Sequence, residues 1–184
     1  MKKQYFTIPN CITVLRIIGT LVLLFITPLT AAFFVIYTLT GVTDVLDGFI
    51  ARKCGLSSEF GARLDSISDL LFYTVMLIKI LPIMIAKLPA EIWYAVGVIL
   101  ILRIASYITA AIKYKRFASL HTYMNKLTGA AVFTVPYVIC LPFAAAICFV
   151  YCGIAAIASA EELMIHLQRD TYRSNTKSIV FRGE

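Results

Sequence analysis

The sequence predicts an all-α integral membrane protein of six transmembrane helices, and three observations lead there. Hydrophobic residues make up 60% of the chain and charged residues only 15%, against roughly 25% charged in soluble domains; mean hydropathy is +0.87. Apolar runs long enough to cross a bilayer, roughly 20 residues each, recur along the chain. Lys and Arg gather at the ends of alternate apolar segments, as they do in polytopic membrane proteins. With 184 residues there is room for one membrane domain, 1–184, whose polar tail begins near residue 169 and runs to 184.

The first span covers about residues 8–27 and closes near Pro28. Lys2 and Lys3 ahead of IIGTLVLLFI (17–26), with the small residues LTAA (29–32) beyond, imitate a secretory leader. Arg16 interrupts that approach and another apolar segment follows at once, so the segment is read as the first membrane helix. The second span runs over about 30–52, its apolar run broken by Asp44 and Asp47. The third, about 61–86, carries Asp65 and Asp69 at its start, and the fourth covers about 91–113. The fifth, about 125–141, ends near Pro142, and the sixth runs over about 143–166.

Orientation follows from the basic residues. A cytoplasmic N-terminus puts Lys2, Lys3, Arg52, Lys53, Lys113, Lys115, Arg116, Lys126, Arg169, Arg173, Lys177 and Arg182 on the cytoplasmic side and leaves Lys87 opposite, twelve against one. Both termini are then cytoplasmic in a multi-pass protein of the cell membrane. The net charge of +7 is spread over segment ends, which excludes a nucleic-acid surface and suits anionic lipid headgroups. Cys11, Cys54, Cys140, Cys148 and Cys152 show no ligand spacing with histidine, so neither a disulfide nor a zinc site is implied. His121 and His166 sit near segment ends and read as polar boundary residues.

Asp44, Asp47, Asp65 and Asp69 are four of the ten acidic residues of an apolar chain. At 100° per residue, Asp44, Asp47, Gly48, Ala51 and Arg52 fall on one helix face within an arc of about 140°. Gly61, Asp65 and Asp69 are spaced i, i+4, i+8 and form one stripe. An antiparallel pair closed by the loop 53–60 brings the two faces together and sets four carboxylates in a polar cavity at the cytoplasmic side. Four such charges do not all stay ionised unaided. Divalent cations resolve this, since Mg²⁺ prefers carboxylate and phosphate oxygens, and two ions roughly 3.5–4 Å apart clamp the oxygens of a phosphoryl transfer. Gly48 and Ala51 leave room on that face for a base or a diphosphate, and Arg52 supplies a fork for phosphate.

Plainer readings compete. A single membrane Asp is most simply a buried hydrogen-bonding residue or part of an ion pathway, and Gly48 alone could be a helix-packing contact. Four carboxylates interleaved in register with Gly, Ala and Arg fit neither. A divalent-cation transporter remains an alternative, but its site belongs near the bilayer midplane between discontinuous helices. An inactive scaffold that kept the motif is a third.

The segment D44-x2-D47-G48-x2-A51-R52-x8-G61-x3-D65-x3-D69 resembles, at eight spaced positions, the signature of the CDP-alcohol phosphotransferases. N10-x2-T13-x2-R16 is similar to the opening of the family's bacterial members. The resemblance implies displacement of CMP from CDP-diacylglycerol by an acceptor hydroxyl in phospholipid synthesis. It implies that Asp44, Asp47, Asp65 and Asp69 hold two divalent ions, Mg²⁺ or Mn²⁺, with Asp69 also the base that takes the acceptor proton. It places Gly48, Ala51, Arg52 and Gly61, with Asn10 and Thr13, at the CDP-lipid, and suggests a homodimer.

The acceptor is less legible. The glycerol-phosphate and cardiolipin branches usually read LDPxADK where this chain has L64-D65-S66-I67-S68-D69-L70, a form that looks more like the serine and inositol-phosphate enzymes. The short chain and its opening IPNCITVLR look more like the glycerol-phosphate branch, including phosphatidylglycerophosphate synthase. An anionic acceptor needs extra cations, for which Arg16, Arg103 and Lys126 are the candidates. Glycerol 3-phosphate is the first expectation, with serine, inositol phosphate and phosphatidylglycerol the alternatives.

Overall fold

A computed structural model describes residues 7–53, 58–115 and 122–168, apart from the side chains at 45, 51 and 52. The expectations for the Ala51 and Arg52 side chains, for Lys2, Lys3, Cys54, Arg116 and His121, and for the tail from 169 lie outside the described residues. Those residues form six α-helices: α1 Ile8–Phe25, α2 Ala31–Lys53, α3 Glu59–Lys87, α4 Ala90–Tyr114, α5 Tyr123–Val138 and α6 Ala144–Gln168. Hydroxyl caps start four of them. Thr7 accepts from Asn10 N, Thr30 from Phe33 N, Ser58 from Gly61 N and Thr122 from Asn125 N, each satisfying an amide that has no partner within its helix.

Five of these helices are long and apolar enough to cross a membrane. The exception is α5, whose 16 residues rise only about 24 Å. The expected fifth span, about 125–141, is displaced by two to three residues: the helix begins at Tyr123 and closes at Val138. Pro136 removes an amide from its last turn, and Cys140 N and Leu141 N bond back three residues, to Tyr137 O and Val138 O. That tightening ends the helix.

The chain divides into two compact units, Met1–Ala86 and Lys87–Glu184. In the first, α1 packs along α2 with its polar side inward. Its buried residues are Pro9, Asn10, Thr13, Arg16, Thr20 and Leu23, one stripe at helical period, while Val14, Leu15, Ile18, Leu21 and Phe25 are exposed. That inversion suits a helix whose outer surroundings are hydrocarbon. Buried Phe33, Tyr37, Thr40 and Asp47 continue one stripe on α2. The rings of Phe33, Tyr37 and Phe72 stack in series at 5.7 and 5.5 Å, joining α2 to α3. Between the aromatic end and the polar end, Gly19 lets the helices approach: a Cβ there would stand 2.8 Å from Thr40 Oγ1.

In the second unit α6 packs against α4 and α5. Ser106, Ala110, Ala158 and Ser159 are fully buried, small residues of the kind that allow close approach in membranes. Thr134 and Tyr151 share a 2.6 Å hydroxyl hydrogen bond between α5 and α6.

Candidate active site

Asp44 and Asp47 lie on the last part of α2, and Asp65 and Asp69 on the first part of α3. One carboxylate oxygen from each of Asp44, Asp47 and Asp65 comes within 4.8 Å of the other two. The two helix faces therefore converge. Asp47 is 4% exposed, while the side chains of Asp44, Asp65 and Asp69 are about half-exposed. The buried member is held in place: the Thr13 hydroxyl donates to Asp47 Oδ2 at 2.8 Å. Asp47 stands six residues before the end of α2 and Asp65 six after the start of α3, so both carboxylates sit about 9 Å inside the helix ends.

Between these carboxylates lies Arg16 of α1, whose side chain is 2% exposed. Its guanidinium pairs with Asp44 and with Asp65 Oδ1 at 2.6 Å, and it reaches Asp69 Oδ1 at 3.4 Å and Asp47 Oδ2 at 4.0 Å. Its Nε donates to Ser68 Oγ at 2.7 Å, and Ser68 is fully buried. The residue expected at the acceptor is thus directed to the carboxylates.

Asn10 and Thr13, expected at the CDP-lipid, are 5% and 3% exposed and support the site from within. Asn10 stands against Gly61, where a Cβ would meet Asn10 Oδ1 at 2.8 Å and Ser58 Oγ at 3.2 Å. A side chain at Gly61 would therefore require the ends of the Asn10 and Ser58 side chains to shift. Gly48 is part-exposed on α2, one residue beyond Asp47.

In the second unit, Arg103 donates from Nη1 to Glu162 Oε2 at 2.6 Å and from Nη2 to Asn125 Oδ1 at 2.7 Å. Asn125 Nδ2 donates to the same Glu162 oxygen at 2.9 Å. Glu162 is fully buried, so α4, α5 and α6 meet on one charge-balanced network. Sequence reasoning placed Arg103 near an acceptor and missed its partners. Glu162 falls at the end of the sixth span, where a polar residue attracts no notice, and its i, i+4 neighbour His166 read as a boundary residue. His166 is instead 1% exposed, packed edge-on to Tyr114 at 5.5 Å. Lys126 is exposed at the first turn of α5, over the Tyr123 ring at 6.0 Å.

Carboxylate oxygens alone, one of them buried and aimed by a hydroxyl, form a donor set that fits a hard divalent cation such as Mg²⁺ and does not fit a soft metal. Such a site can neutralise a diphosphate, and a half-exposed carboxylate one helical turn beyond it can take a proton.

The family model described as CDP-alcohol phosphatidyltransferase matches residues 6–165. The chain is similar to the CDP-diacylglycerol--serine O-phosphatidyltransferase of Methanocaldococcus jannaschii, 42% identical over 73 residues, covering 40% of this chain and 34% of that protein. It is 40% identical over 76 residues to the CDP-diacylglycerol--glycerol-3-phosphate 3-phosphatidyltransferase of Pseudomonas fluorescens, 39% of each chain. It is 35% identical over 80 residues to the protein of that description in Escherichia coli K12, 41% of this chain and 44% of the other. The chain thus spans less than half the length of these curated relatives. No solved structure matches it.

Proposed function

The chain belongs to the CDP-alcohol phosphatidyltransferase family, and from that premise we propose that it transfers a phosphatidyl group from CDP-diacylglycerol to an acceptor hydroxyl, with release of CMP. The observation that carries the reading is the convergence of Asp44, Asp47 and Asp65 within 4.8 Å, with Asp69 one turn further along α3. These carboxylates would hold two divalent ions, Mg²⁺ or Mn²⁺. The ions would supply charge neutralisation for the diphosphate and a better leaving group.

The remaining roles belong to side chains. Thr13 aims Asp47 and so fixes the buried ligand. Asp69 accepts the proton of the acceptor hydroxyl. The acceptor oxygen forms a bond to the lipid-bearing phosphorus, the bond from that phosphorus to the bridging oxygen of the diphosphate breaks, and CMP leaves with that oxygen and its electron pair. Asp69 then returns its proton to solvent. Arg52 and Ala51 complete the CDP-lipid contacts in this reading, with Gly48 as the open space on the same face. The cytoplasmic side of the cell membrane supplies the nucleotide-linked donor, and a homodimer is the expected assembly.

Glycerol 3-phosphate is the proposed acceptor. Two of the similar proteins above carry that acceptor in their names, and exposed Lys126 offers a cation for its phosphate. Arg103 has its charge balanced by Glu162, which leaves it the weaker candidate. Serine is the second reading, favoured by Ser66 where the glycerol-phosphate branch usually has proline.

The test is CMP release by the purified protein with one acceptor at a time: glycerol 3-phosphate, serine, inositol phosphate, inositol and phosphatidylglycerol. Release with glycerol 3-phosphate, reduced in Lys126→Ala through a raised KM, supports the first reading. Release with serine alone replaces it. No release with any acceptor from folded protein contradicts phosphatidyl transfer and returns the cation transporter to consideration.

A further inference from the structure

The side chain of Arg16 is a deeply buried charge of the first unit, 2% exposed, and it faces all four aspartates. Its terminal nitrogens pair with Asp44 and Asp65 and lie 3.4 and 4.0 Å from Asp69 and Asp47. Two further contacts fix it from the protein side. Nε donates to buried Ser68 at 2.7 Å, and Nη2 points to the Asp65 carbonyl at 3.4 Å. A guanidinium is planar, carries five donors in a rigid fork and keeps its charge. A carboxylate has two oxygens, and at each aspartate the guanidinium approaches one of them.

We propose that Arg16 is the resident counter-cation of the carboxylate site: it assembles the site before any metal binds and remains as its support. Two costs cancel at this site. Four carboxylates from two helices repel one another and drive the helices apart, or neutralise, unless a positive charge stands between them. A buried guanidinium is destabilising unless paired and hydrogen-bonded. Placing one among the other resolves both. The anchors on Ser68 and the Asp65 carbonyl stop the guanidinium from following any single aspartate, so it holds α2 and α3 at a spacing set by α1. Arg16 is therefore a positioning residue and not the cation of the acceptor.

The inference rests on the metal site of the proposed function only for what loads afterwards. Its consequence is specific: in the native protein, folding does not depend on metal, whereas without Arg16 it does.

Thermal unfolding of the full chain in detergent micelles, with chelator and with Mn²⁺, tests this. The wild type is expected to melt cooperatively in chelator and to gain a modest shift with Mn²⁺. Arg16→Gln is expected to melt lower in chelator by on the order of 10 °C, the size expected for loss of a buried ion pair. Mn²⁺ is expected to recover more than half of that loss, giving a metal shift larger than in the wild type. Arg16→Lys, which keeps the charge and loses the fork, should fall between. If Arg16→Gln yields no folded protein, Arg16→Lys carries the same comparison.

An unchanged melt in chelator overturns the proposal. So does a lowered melt whose Mn²⁺ shift is no larger than in the wild type, which makes Arg16 an ordinary helix contact. Absence of any Mn²⁺ shift in every protein removes the metal site itself. CMP release by the wild type is read separately. Its failure alongside the expected melting pattern would contradict phosphatidyl transfer and leave the role of Arg16 standing.

Discussion

Thr13 shows how a small residue shapes the chemistry. Its hydroxyl donates to Asp47 Oδ2 at 2.8 Å, and Asp47 is the buried carboxylate of the cluster. Groups that orient a metal ligand typically contribute 10–100-fold to affinity or activity. Thr13→Val is expected to lose activity by about that factor while raising the Mg²⁺ concentration for half-maximal rate. A Mg²⁺ dependence equal to the wild type contradicts the assignment. Asp69 differs because its side chain is about half-exposed and its proposed task is to receive a proton. Asp69→Asn should cut transfer by roughly 10²–10⁴-fold, the usual contribution of a general base, and leave CDP-diacylglycerol binding largely intact. Equal loss of binding would leave Asp69 a metal ligand only and the base unassigned. At this scale the carboxylates were legible because charge in an apolar chain is conspicuous. Thr20 and Thr40 were not, because a threonine in a membrane helix satisfies itself on its own backbone, as both do here at 2.8 and 2.7 Å, and so leaves no mark in the sequence.

Among the elements, the helices come through the sequence almost unchanged because each is an apolar run bounded by a hydroxyl, a proline or a charge. The end of α5 did not. Apolar residues continue past Val138, and only the bonding of residues 139–141 shows that the helix has closed. Glycine roles were half legible. Gly61 was expected at the CDP-lipid with Asn10, and the two residues stand against each other, a contact between α1 and α3 that spacing alone does not show. A methyl at Gly61 requires the ends of the Asn10 and Ser58 side chains to move, and overpacking that is not relieved costs roughly 1–3 kcal/mol. Gly61→Ala is expected to lower the melting temperature by several degrees, about 2–4 °C per kcal/mol at this size, and an unchanged melt would mean that Asn10 yields freely. The network of α4, α5 and α6 invites a second substitution. Glu162→Gln leaves the part-buried Arg103 without its buried carboxylate partner, and the loss of one partner of a fully buried pair, roughly 3–5 kcal/mol, is the upper bound on the cost. Melting of the variant should show a loss of up to that size, and a loss below about 1 kcal/mol would indicate that Asn125 and water suffice.

For the whole molecule, five helices long and apolar enough to span a membrane and the family assignment agree on a multi-pass membrane protein. Sidedness is a separate matter, carried by twelve basic residues against Lys87. In a background without native cysteines, an impermeant thiol reagent applied to intact cells should label Lys87→Cys and spare Lys115→Cys; the reverse pattern inverts the topology. The sequence could not show the division of the chain into two compact units, nor that each carries its own buried ionic network, because both depend on pairings between residues distant in the chain: Arg16 with Asp65, Arg103 with Glu162.

In the proposed function the converged aspartates bind divalent metal, and this metal enables phosphatidyl transfer. The most direct measurement is CMP release from CDP-diacylglycerol by purified protein, with acceptor present, stripped by chelator and then titrated with Mg²⁺, beside Asp47→Asn. The account predicts no release without metal, full recovery on titration, and little recovery in Asp47→Asn although the variant remains folded. Release that persists in chelator, or that Asp47→Asn recovers at the wild-type Mg²⁺ concentration, would contradict it.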